Sequence, residues 1–108
     1  MKQGDLVLVA PPGAYGKPRP ALIILSDLFT EHPSVTICLL SGHLQPTPLF
    51  RYQVEPASEN GLTIPSQVQV DKIMTLPRTR LGQKIGRLQD RQMQEITRLI
   101  ALWVGLAG

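Results

Sequence analysis

The chain has 108 residues, 43% of them hydrophobic, with a formal net charge of +3 and a pI near 9.4. That length predicts a single domain, residues 1–108, with one modest core. The apolar fraction argues against wholesale disorder, and the mild basicity permits a polyanionic partner without demanding one. No stretch could span a membrane and the first residues hold no apolar segment of signal-peptide length, so a cytoplasmic protein with no membrane partner is expected. Cys38 is the only cysteine, which excludes an internal disulfide and reads as a buried thiol within the apolar run 35–40.

In chain order, Leu6–Ala10 reads as a first strand, opened by Gly4-Asp5 and stopped by Pro11-Pro12-Gly13. The loop from Pro11 to Pro20 holds four prolines and two glycines and carries Tyr15, Lys17 and Arg19. Ala21–Leu25 is the second strand and Val35–Leu40 the third, and their nearly unbroken apolar character predicts burial on both faces or in a barrel core. Lys17 and Arg19 each precede a proline, so Lys17-Pro18-Arg19-Pro20 is stiff and extended. Two missing backbone donors place it at a strand's entrance, not its middle. A guanidinium held in a pre-set direction loses little entropy on meeting a phosphate; the plainer alternative is a surface arginine in a proline turn.

Ser41-Gly42-His43 ends the third strand. Phe50–Val54 alternates apolar and polar as a half-exposed strand does, and Glu59-Asn60-Gly61 signals a turn. Val68, Val70 and Ile73-Met74 supply a further strand closed by Pro77. One helix is expected, from about Gln89 to Val104, with Met93, Ile96, Leu99, Ile100 and Trp103 on one apolar face and Asp90 at the positive end of its dipole. Between Asp71 and Arg98 stand seven basic residues against three acidic ones. Arg78, Arg80, Lys84 and Arg87 precede the helix, so a solvated helix face does not account for them all, and nucleic-acid contact is a second reading. Together these elements predict a mainly β fold, a small curled antiparallel sheet with one C-terminal helix packed on it.

Gly4-Asp5-Leu6-Val7 followed by Arg19-Pro20-Ala21-Leu22-Ile23-Ile24 resembles the start of the MazF/PemK family of toxin endoribonucleases. Asp71-Lys72-Ile73-Met74-Thr75-Leu76 is similar to that family's Asp-x-Ile-x-Thr segment. Arg80-Leu81, Ile85-Gly86-Arg87-Leu88 and the closing helix follow in family order. The resemblance covers nearly the whole chain and implies an SH3-like small barrel of the MazF/PemK/CcdB kind, assembled as a homodimer. It also implies sequence-specific, metal-independent cleavage of single-stranded RNA, with no cofactor, opposed by a cognate antitoxin whose disordered segment occupies the RNA groove. By the same resemblance Arg19 matches the catalytic arginine, and Ser41 a position usually held by threonine. Serine keeps the hydroxyl but loses the methyl that restrains its rotamer. Gln69 and Asp71 lie where some relatives place RNA-contacting or catalytic side chains, and glutamine at 69 replaces an arginine found in some members.

The residues are compatible with that chemistry. One cysteine and two distant histidines, His32 and His43, make no convincing metal site, and neither a Gly-x-Ser-x-Gly elbow nor a phosphate-binding glycine loop is present. What remains is electrostatic catalysis, with Arg19 giving forked hydrogen bonds to phosphate oxygens as charge builds. A guanidinium is too weak an acid to serve readily as a base. His43, two residues beyond Ser41, would point the same way if the strand continues; otherwise it is a loop histidine. Tyr15, Phe50 and Tyr52 are candidates for base stacking, Tyr15 in the proline-glycine loop being the better one, while Phe50 reads rather as core and Trp103 as a core or dimer contact; Lys17, Arg78 and Arg80 are candidate RNA contacts. Two other classes stay open: a CcdB-like gyrase poison acting through Trp103-Val104-Gly105-Leu106, and an RNA-binding SH3-like module without chemistry.

Overall fold

The computed structural model describes residues 1–10 and 17–106. The apolar runs become β1 (Asp5–Val9), β2 (Arg19–Ile23) and β3 (Ser34–Ser41), followed by β4 (Arg51–Val54), β5 (Ser66–Pro77), β6 (Leu81–Arg87) and α1 (Asp90–Trp103). All paired strands are antiparallel, in the order β4-β5-β3-β2-β1-β6. This is the mainly β architecture with a C-terminal helix that the sequence predicts.

Successive side chains of a strand face opposite sides, and here both sides are buried. Leu6, Leu22 and Cys38 join Val68, Val70 and the helix residues Met93 and Ile96 in one core. Val7, Ala21, Ile23 and Ile37 form a second on the other face with Leu76. Burial pushes the Cys38 thiol up to about 12, helped by the negative charge of Asp71, so at neutral pH it is a packing group and not a nucleophile.

Strand β2 starts two residues earlier than the apolar run suggests, because Pro20 and Arg19 continue the ladder against Leu8 and Val9 of β1. Pairing with β3 begins only at Ala21, so on that side the ladder starts where the prolines end. Strand β6 is a feature that apolar patterning does not reveal. Gly82 and Gly86 dilute its pattern, yet a Cβ at Gly86 would lie 2.4 Å from the backbone of Asn60. The Asn60 amide is buried there, accepting the N–H groups of Ala57 and Leu62 at 3.1 and 3.0 Å and donating to the Glu55 carbonyl at 2.9 Å.

Gln89 caps α1 in a reciprocal capping box, its own N–H donating to Gln92 Oε1 at 2.9 Å. Trp103 leaves the core: it is 51% exposed and leans on Phe50 with ring centroids 6.0 Å apart. The ladder between β3 and β5 is interrupted, since Cys38 faces Ile73 while Leu40 already faces Val68. The surplus length of β5 bulges through Gln69–Lys72, the kind of irregularity that re-aims side chains beside functional sites.

Candidate active site

Register assembles a polar row across the sheet. Val9 pairs with Leu81 on one side and Arg19 on the other; Ser41 pairs with Gln67, and Gln67 with Gln53. The β2–β3 register Ala21↔Leu39, carried two residues further, sets Arg19 across from Ser41. Directly opposed residues project to one face, so Arg19, Ser41, Gln67 and Gln53 form a transverse stripe. It lies at the end of the second core, on the face of Ala21 and Leu39.

Arg19 is exposed at the entrance of β2. Lys17 is exposed just before it, and Arg80 Nη1 donates to the Ala10 carbonyl at 3.4 Å, immediately before Leu81 of the row. Three cations thus gather at one end of β1 and β2. Arg78 goes elsewhere: its guanidinium donates to the carbonyls of His32 and Phe29 and clamps the loop before β3. Tyr15 lies outside the described residues.

Ser41 Oγ accepts the His43 N–H at 3.1 Å. The strand ends at Ser41 and the chain bends at Gly42, so the alternation that would aim His43 alongside Ser41 does not extend to it. Gln67, buried, holds the loop beyond, its amide accepting from the Gln45 N–H at 3.0 Å and donating to the Gln45 carbonyl at 2.9 Å. Gln69 is also buried and donates to the Leu39 carbonyl at 3.4 Å.

Arg51 overturns the expectation of an outward polar residue on β4: it is 7% exposed. Its burial is possible because Asp71, swung out by the β5 bulge, takes both forks of the guanidinium. That guanidinium holds the Asp71 carboxyl below its ordinary value of 3.8, against the opposing effect of burial. Arg51, Gln67 and Gln53 share the face of the stripe, and reasoning from motifs passes over them. For Gln67 the signal was present in Gln67-Val68-Gln69-Val70, whose alternation sets two polar groups on one strand face; Asp71 is then placed by the bulge.

Among the described residues, no three His, Cys, Asp or Glu side chains come together to hold a metal ion, and no helix is long and apolar enough to cross a membrane. The fold and the stripe define a small curled-sheet protein with exposed cations at one end of β1 and β2. Residues 2–104 match the model of the PemK-like, MazF-like toxins of type II toxin–antitoxin systems, and the chain belongs to that family. It is 38% identical over 109 residues to the probable endoribonuclease MazF of Mycolicibacterium smegmatis, covering the whole of both chains. Among solved structures it is similar to the Mycobacterium tuberculosis toxin MazF-mt6, with a TM-score of 0.81, 25% identity, and 96% of this chain and 99% of that chain covered. An endoribonuclease in complex with its cognate antitoxin, from a mycobacterial species, shares the fold with a TM-score of 0.80 at 22% identity, covering 100% of this chain and 98% of that one.

Proposed function

We propose that this toxin is an endoribonuclease that cuts single-stranded RNA at the Arg19–Ser41 end of the stripe, without a metal. The observation that carries the reading is the exposed Arg19 at the entrance of β2, where the β2–β3 register, carried two residues beyond Ala21↔Leu39, leads to Ser41, with Lys17 exposed just before it and Arg80 bonded to the Ala10 carbonyl. In the reaction the ribose 2′-oxygen forms a bond to the adjacent phosphorus as its proton passes to water, and the bond to the 5′-oxygen breaks as that oxygen takes up a proton from water. The products are a cyclic phosphate and a 5′-hydroxyl. Arg19 donates to the non-bridging oxygens, where charge accumulates in the transition state. The Ser41 hydroxyl accepts from the His43 backbone and keeps its own proton to donate towards the phosphate.

The reading includes a cognate antitoxin as partner, in line with the mycobacterial relative solved with one, and action in the cytoplasm. It also includes a homodimer. Leu49, Trp103, Val104 and Leu106, 73%, 51%, 55% and 84% exposed, leave an apolar end on α1 that a second copy would cover; sedimentation tests this. The gyrase-poison alternative draws no support from the relatives. The deciding experiment incubates the protein with mixed single-stranded RNA in EDTA. Cut RNA ending in cyclic phosphate, lost in Arg19→Ala, is the expected result. RNA left intact across varied sequences would sink the reading.

A further inference from the structure

The polar row does not stop at β5. From Gln67 it reaches Gln53 on β4, the edge strand, and there meets a cleft of about 530 Å³ between the β3–β4 loop, β4 and α1. That volume lies within the range of small-ligand sites. Strand β4, which lines the cleft, is three strand spacings from β2, about 14 Å, a span that a few nucleotides of extended RNA can bridge.

The walls carry a specific chemistry. Thr47 Oγ1 is the one side-chain nitrogen or oxygen among the described residues found buried without a hydrogen-bond partner, and Thr47 lines this cleft. A buried hydroxyl left unpaired is costly, so the group is set for something that enters. Two guanidiniums reach the cleft: Arg51, locked on Asp71, and Arg98, exposed on the second half of α1. Tyr52 supplies an aromatic wall. The single carboxylate of the lining, Glu95, takes the Tyr52 O–H and so anchors that ring. An aromatic wall, an unpaired hydroxyl and an exposed cation are the groups that hold a nucleotide by its base and its phosphate.

We propose that this cleft is a nucleotide subsite for the same RNA strand that is cut at Arg19, taking a base against Tyr52 and Thr47 and a phosphate on Arg98. The stripe of Ser41, Gln67 and Gln53 is the track between the two. The subsite sets base preference at one position a few nucleotides from the cut, on one side only. It rests on the ribonuclease reading above.

The test uses the full chain, an RNA oligonucleotide long enough to extend on both sides of the cut, and two versions trimmed at either end. Arg98→Ala and Thr47→Val are suitable variants: Arg98 is exposed on a helix, and Thr47→Val keeps shape and the loop's backbone bonds. Arg98→Ala is expected to raise KM roughly ten-fold on the long RNA. The penalty should vanish on one trimmed RNA and persist on the other. Thr47→Val should flatten base preference at one position when cut ends from a mixed pool are sequenced. A KM penalty that is the same on all three RNAs, or variants indistinguishable from a wild type that cuts, would overturn the subsite alone. A wild type that cuts no RNA in EDTA would overturn the ribonuclease reading and the subsite with it.

Discussion

Arg51 on β4 and Asp71 on β5 form a forked ion pair, Nε to Oδ1 at 2.7 Å and Nη2 to Oδ2 at 3.0 Å, with side chains 6% and 17% exposed. Each makes the burial of the other tolerable: a guanidinium withdrawn from water without a counter-charge is strongly destabilising. Asp71→Asn keeps the shape and removes the charge. It should cost about 2–3 kcal/mol, read from urea unfolding, because it leaves Arg51 buried and unpaired. Replacing Arg51 by leucine and Asp71 by asparagine together should cost less than Asp71→Asn alone, since no buried charge is then stranded.

The same pair makes stability depend on acid. Arg51 holds the folded Asp71 carboxyl below 3.8. For Asp5, burial alone would raise the value, but the Lys2 N–H, Arg87 and Lys84 together outweigh it and lower the carboxyl too. A folded pKa below the unfolded one contributes stability that is complete above the unfolded value and lost as pH falls through the folded value. The urea midpoint should therefore hold steady from neutral pH to about pH 5 and drop below about pH 4. Asp71→Asn should flatten that drop.

Tyr52 offers a spectroscopic check on the wall of the cleft. Burial first, and then its hydrogen bond to Glu95, push its phenol up to about 12. In a Tyr15→Phe background, absorbance near the phenolate band should show no titration until about that pH, where an exposed tyrosine would ionise near pH 10. Glu95→Gln removes the second cause and should bring the midpoint down.

Arg19 is exposed and its replacement should leave the thermal midpoint nearly unchanged, within about 0.5 kcal/mol of stability. Arg19→Ala should nonetheless slow RNA cutting by about a hundred- to a thousand-fold, the usual effect of removing one donor aimed at a transition-state oxyanion. Arg19→Lys keeps the charge without the fork and should recover only part of the rate. A rate loss matched by an equal loss of folded protein would contradict this assignment.

The contact between the Asn60 turn and β6 is a purely structural prediction. Gly61 has φ +70°, and a Cβ there would meet the Ile85 carbonyl oxygen at 2.1 Å. Gly61→Ala should destabilise by more than about 2 kcal/mol, through both strain and collision. Asn60→Ala, which strands two N–H groups and a carbonyl, should fall in a similar range, about 2–4 kcal/mol. Thermal unfolding of both variants checks the pair.

The strands β1, β2 and β3 and the helix α1 were legible in the chain because apolar runs and a three-and-four spacing report local periodicity, and local periodicity survives folding. Arg19 and Ser41 were legible for a different reason: the prolines around Arg19 and the family-like motifs are contiguous in sequence. Strand β6 was not, because its glycines serve a close approach to Asn60 that only the folded chain creates. Arg51 was not, because alternation assigns a charge to the outside unless a partner is known, and its partner stands twenty residues on, on the next strand. His43 was aimed with Ser41 by a period that ends when the strand does. The sequence alone thus determined which residues are stiff, apolar or charged and the family they compose. The tertiary structure decided which of them meet, since register and the β5 bulge bring Arg19, Ser41, Gln67 and the Arg51–Asp71 pair onto one face.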